Sequence, residues 1–157
     1  MGLMIIDEQN WEKARKEIDR AFNEKKKVIV KGREIEFNRL VLENKKVNAL
    51  IIQHAGQKDR LKERASGLNQ VLCKIAHDTG KIILIDFKEI LDAGGIEKAK
   101  ILARLMQNIM LLQKYKVNSG IINKSGRENH DLFSFLLTLG SNTNFATETA
   151  WKEISNN

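Results

Sequence analysis

The sequence predicts an α/β fold built on a parallel sheet, from three observations. Short β-branched runs alternate with longer stretches of helical periodicity. The alternation is strict over five strands, the pattern of right-handed β–α–β crossovers. No low-complexity linker interrupts it, so residues 1–157 read as a single domain.

The strand LMII at 3–6 comes first. The helix after it opens near Asp7, and its Trp11, Ala14, Ile18, Ala21 and Phe22 repeat at helical spacing. KVIV at 27–30 leads into the helix EIEFNRLVLENKK, and VNALII at 47–52 leads into a charged loop. A helix over 67–79 ends at Gly80, a residue free to take the left-handed conformation of a C-cap. With Leu68 at zero on a helical wheel, Val71, Leu72, Ile75 and Ala76 lie within about 80° of it. Cys73 then falls on the flank at about 140°, and His77 points outward at about 180°. KIILIDF precedes the pair Gly94–Gly95 and the long helix IEKAKILARLMQNIMLLQKYK. VNSGII leads through NKSGREN to the helix DLFSFLLTLG, which Asp131 is placed to cap, and the helix NFATETAWKEI follows. Proline is absent, which leaves these helices unbroken.

Apolar residues make up 42% of the chain and charged residues 30%, as in folded globular proteins. The longest apolar runs, IILI and ALII, are too short to cross a bilayer. MGLMIIDEQNW lacks the charged lead and apolar core of an export signal. A lone cysteine forms no internal disulfide, which suits a reducing, cytoplasmic setting. The net charge of +7 suits a polyanionic partner, because each phosphate neutralised releases counterions. Residues 25–46 carry eight Lys and Arg against three Glu, and QKDRLKERASG carries four against two. A merely solvated face accounts for the same pattern.

Catalytic chemistry finds little support. Cys73 and His77 stand one helical turn apart, a spacing that metal sites use, but zinc takes four ligands or three and a water. His54 and His130 are the other histidines, and neither stands at ligand spacing to this pair. A nucleophilic Cys73 would need an activating group beyond His77, so an inert thiol is expected. No Gly-rich nucleotide-binding loop occurs. Asp86 stands at the C-terminal end of a strand, where α/β enzymes place functional groups. A carboxylate there equally caps the turn that follows.

Three segments point further. GLNQVLCKIAHDTGKIILIDFKEIL sets a Gly, an Asn, a small apolar group and Lys-x-Ala ahead of a strand. KAKILARLMQNIMLLQKYKV is a long helix ending in Lys-Tyr-Lys-Val, and DLFSFLLTLG is a helix after the last strand. In this order and spacing, across residues 47–155 and more loosely from 27, they resemble the ribonuclease P protein component 3 family of archaea and its eukaryotic counterpart.

The resemblance implies a TIM-barrel-like domain, related to metal-dependent phosphoesterases of the polymerase-and-histidinol-phosphatase type but without their metal ligands. It implies a protein subunit of ribonuclease P that supports RNA-catalysed removal of the 5′ leader from precursor tRNA. The RNA then supplies the active site and Mg²⁺ serves the RNA, while the protein holds no cofactor and no catalytic residue. The implied partners are the ribonuclease P RNA, precursor tRNA and protein component 2, with no membrane.

For RNA contact, Arg39 falls where the family has an arginine, and Arg127 aligns with another across a shorter loop. Lys58 matches within a charged insertion, KDRLKER, whose Arg60, Lys62 and Arg64 are grouped with it, as is Lys124 of the last polar loop. Arg104 and Asn108 match the long helix, where taken alone they read as a solvated side chain and a surface hydrogen-bonder. The family's domain has extra length on its N-terminal side, and LMII corresponds to one of its interior strands. About two β–α units of the family's domain are therefore wanting, and the five strands counted above, short of the eight that close a barrel, are expected to form a partial one. Its open edges would favour a homodimer or association with component 2. Two other functions stay open: a metal-dependent phosphoesterase, needing clustered His and Asp ligands, and an assembly module with little RNA contact.

Overall fold

The structure, a computed structural model, describes residues 2–122 and 125–152. Strands β1 (Leu3–Ile6), β2 (Lys27–Lys31), β3 (Ala49–Ile52), β4 (Ile82–Asp86) and β5 (Ser119–Ile122) form one all-parallel sheet. Their spatial order is their chain order. Each crossover thus advances the sheet by one strand in one direction, which builds an arc of a TIM-like barrel rather than a doubly wound sheet whose order reverses. The helices between them are α1 (Trp11–Asn23), α2 (Ile35–Glu43), α3 (Gln70–Thr79), α4 (Phe87–Asp92) and α5 (Gly95–Lys114). After β5 come α6 (Asn129–Thr138) and α7 (Thr143–Ala150), the latter packed on β5.

Alternation along the strands divides the core in two. Val30, Leu50, Ile83 and Ile85 point to the helices and join Ile18, Leu72, Leu105 and Leu136 in the main core. Ile29, Ala49, Ile51 and Leu84 share the opposite, concave face and pack on one another. Curvature lets these inner side chains cover each other, and the inner face is barest at the edge. Leu84 is fully buried, whereas Ile5 on edge strand β1 is 44% exposed.

Several local expectations shift. Helix α1 starts at Trp11 rather than near Asp7, because Asn10 supplies the cap, accepting from Lys13 N at 3.2 Å. Phe22 lies outside the core, half exposed beneath the Lys46 ammonium. Helix α3 begins after Leu68, with Asn69 as its cap, so Leu68 does not mark the helix's buried stripe. That stripe is Leu72, Cys73 and Ala76, which buries Cys73 and leaves Val71 exposed. Gly80 takes the left-handed C-cap as expected. Asp86 caps α4, a short helix that the sequence reading left out. Glu128, not Asp131, occupies the cap position of α6. Arg104 and Asn108 are neither solvated nor on the helix surface: both are buried on the inward side of α5.

Candidate nucleic-acid interface

In a parallel α/β sheet every loop that follows a strand emerges at the same end. The longest such connection here is β3–α3, residues 53–69, and it carries the charged segment QKDRLKERAS. Loops of this length without regular structure are uncommon unless something holds them. A buried polar floor does so.

Glu89 of α4 reaches across to the root of the loop. Its Oε1 accepts from His54 N at 2.7 Å and from Ala55 N, and its Oε2 lies 3.1 Å from His54 Nδ1. On the far side of the His54 ring, Asn108 Nδ2 is 3.1 Å from Nε2 and donates to the Ser66 carbonyl at 2.9 Å. Turning the amide over would aim its oxygen at that carbonyl, so Nδ2 stays in place and Nε2 accepts. The Nδ1 proton of His54 therefore faces the carboxylate. Arg104 donates to the carbonyls of His54 and Gln57, both at 2.9 Å, and pairs with Asp59 Oδ1 at 3.3 Å. Asp59 also accepts from Ala65 N at 2.8 Å, closing the loop on itself. Asn38 of α2 binds the loop's end, donating to the Gly67 carbonyl at 2.8 Å. Gly67 has φ 77°, and a Cβ there would meet Asn38 Nδ2 at 3.2 Å, so the close approach needs glycine.

The charges follow this geometry. Burial pushes the Glu89 carboxyl up, but the hydrogen bond from the His54 ring, with those from the Ala55 and His54 N–H groups, outweighs it and holds the group below its ordinary value. Asp59 is lowered mainly by the Ala65 N–H, and further by Arg104 and Arg64.

Above this floor stands the tip. Arg60 and Glu63 exchange backbone hydrogen bonds of 2.9 and 3.2 Å, which makes Leu61–Lys62 a tight turn, with Leu61 99% exposed. Lys58, Arg60, Lys62 and Arg64 are all exposed. Among the described residues none of the four forms a salt bridge; Arg64 acts on Asp59 only through space. Beside them opens a cleft of about 680 Å³, lined by Arg33, Lys58, Arg60 and Arg64 and by the acids Glu34, Glu36 and Glu63.

The structure thus brings four of the expected RNA-binding residues together. Arg127 follows β5 and so lies at the same end of the sheet, on another loop. Arg39 stands apart on α2, exposed and tied to Glu43 at 2.8 Å. Lys124 lies outside the described residues. Sequence reading missed the floor itself, and it missed Arg33, which binds Gln53 Oε1 at 2.9 Å and Asp7 at the cleft wall. One signal was available: His54 and Glu89 follow neighbouring parallel strands and so must emerge side by side.

Cys73 and His77 do not belong to this site. Cys73 is fully buried and burial pushes its thiol up to about 12, which makes it inert. His77 is exposed, and its Nδ1 lies 3.0 Å from the Lys116 carbonyl. Among the described residues no three His, Cys, Asp or Glu side chains gather as a metal site requires. No described helix is long and apolar enough to cross a membrane.

No protein-family model matches the chain. Ribonuclease P protein component 3 of Methanosarcina acetivorans is 34% identical over 117 residues, covering 74% of this chain and 46% of its own length. The protein of the same name from Methanocaldococcus jannaschii is 30% identical over 117 residues, covering 71% and 48%. The chain therefore spans about half the length of the curated relatives it matches. Among solved structures, one chain of a cryo-EM structure of archaeal ribonuclease P with mature tRNA is similar, with a TM-score of 0.74 and 26% identity. That match covers 92% of this chain and 62% of the other. In sequence and in fold, the chain belongs to the ribonuclease P protein component 3 family.

Proposed function

We propose that the chain serves as a protein subunit of ribonuclease P, supporting the RNA-catalysed removal of the 5′ leader from precursor tRNA. The observation that carries this reading is the β3–α3 loop, where four cations without salt bridges stand on a turn whose root is fixed by buried hydrogen bonds. Such a device neutralises phosphates and positions RNA while reading little sequence. Holding the loop in shape before RNA arrives removes part of the ordering cost of binding. Lys58, Arg60, Lys62 and Arg64 make the central contacts in this reading, and Arg39, Lys124 and Arg127 add outlying ones. Base stacking contributes little, since Phe37, Phe87 and Phe145 are spent in the core.

The names of the relatives and the neighbour's place in a complex with tRNA support the same assignment. The partners in this reading are the ribonuclease P RNA, precursor tRNA and protein component 2, acting in the cytoplasm. Mg²⁺ is supplied to the RNA, and the protein holds no cofactor. The deciding experiment is reconstitution of precursor-tRNA cleavage with the cognate RNA, Mg²⁺ and component 2, with and without this chain. Cleavage should rise when the chain is added, and the chain without RNA should cleave nothing. Cleavage by the protein alone, or no response to its addition, overturns the reading.

A further inference from the structure

The outer face of α5 carries an apolar surface that the RNA reading does not use. Ile96, Ala99, Ala103, Met106 and Met110 recur at alternating intervals of three and four residues, the seam spacing of paired helices. These positions lie opposite the side of α5 that Ile101, Leu105, Asn108 and Leu112 bury in the molecule. Four of the five are exposed, Ile96 to 76%, Met106 to 45% and Met110 to 68%, while Ala103 is half-buried. A single exposed apolar residue is ordinary, but a continuous row along about four helical turns marks an interaction surface. The row runs about 21 Å along the helix axis. Its middle is alanine, which lets a second helix come close, and one end is methionine, which adapts to what it meets.

The rim decides what fits. Lys100 and Lys114 stand exposed along one side, and the single acid of α5, Glu97, already lies 3.6 Å from Lys100. We propose that this face docks an amphipathic helix of a partner protein, whose apolar seam is flanked by acidic side chains. A second copy of the chain would bring the same lysines and another net charge of +7, and it offers no spare carboxylate on this face. Nucleic acid would leave the apolar row unmatched. The proposal rests on none of the residues assigned to RNA, so each can fail alone.

The test titrates the full chain into a labelled three-heptad peptide with leucine along its seam and glutamate at the flanking positions. Its own glutamates keep that peptide from pairing with itself. A control peptide carries lysine at the same flanks. Fluorescence anisotropy should show saturable binding of the glutamate peptide, about tenfold weaker for the lysine peptide. Met106→Glu and Met110→Glu should each weaken it about tenfold or more, with unchanged thermal melting because both sites face solvent. Failure of the glutamate peptide to bind, equal binding of both peptides, or wild-type affinity in both variants overturns the proposal. So does a dimer of the chain, seen by light scattering, that Met106→Glu dissolves, for the occupant is then a second copy.

Discussion

At the scale of single side chains, Arg104 and Arg60 show how one residue type serves two ends. The Arg104 guanidinium is buried and donates to two loop carbonyls, so its loss strands the His54 and Gln57 oxygens. Arg104→Met should cost about 2–4 kcal/mol, read as a shift in urea midpoint. It should weaken RNA binding by loosening the loop, with the salt dependence of binding unchanged. Arg60→Ala, at the exposed tip, should leave stability within about 0.5 kcal/mol. Its salt slope should fall by about 0.7–0.9, because one phosphate contact is lost. A wild-type slope in both Arg60→Ala and Lys62→Ala would place the phosphate contacts elsewhere. Cys73, with its thiol pushed up to about 12, should resist iodoacetamide in the native protein and react once urea unfolds it.

At the scale of elements, α4 is a six-residue helix whose main service is to present Glu89 to the root of the β3–α3 loop. Because the native carboxyl is held below its ordinary value of 4.5, the unfolded chain takes up the proton first as pH falls. The stability that Glu89 contributes is complete above that ordinary value and disappears as pH drops through the lowered native one. Urea midpoints measured from neutral to acid pH should therefore fall, and Glu89→Gln should lower the neutral midpoint and flatten the acid limb. Asp7 and Asp59 are lowered as well, so a residual slope remains. An unaltered acid limb in Glu89→Gln would mean that the carboxylate does not hold the loop.

At the scale of the whole molecule, the sheet has two unlike edges. Strand β5 is backed by α7, and Lys152 reaches Asn118 Oδ1 at 3.4 Å beside it. Strand β1 has no neighbour on its outer side among the described residues, and Ile5 stands half bare there. Unpaired N–H and C=O groups beside an apolar side chain invite edge pairing. Light scattering should show a mass that rises with concentration in the micromolar range, and Ile5→Lys should return it to the monomer. A wild-type chain that stays monomeric throughout that range would show that so short an edge does not pair.

The sequence by itself determined every strand and every helix but α4, the parallel sheet and the place of the charged loop. Those features rest on neighbours in the chain: hydrophobic period, β-branched runs, capping residues and a segment too charged to bury. The tips of that loop were legible because solvated cations need no tertiary partner. Tertiary structure alone decided what lies beneath them. Arg104 and Asn108 look like surface residues on an isolated helix, and only the loop from β3, folded over α5, turns them inward as donors. His54 gains its role from Glu89, thirty-five residues away, across two strands that the sheet sets side by side. Cys73 likewise passed from flank to core because α3 starts at Gln70, behind the Asn69 cap, and its buried face centres on Leu72, Cys73 and Ala76 without Leu68. Periodicity records which side of an element is apolar, whereas a buried polar contact depends on two segments meeting, and that meeting is settled only when the chain folds.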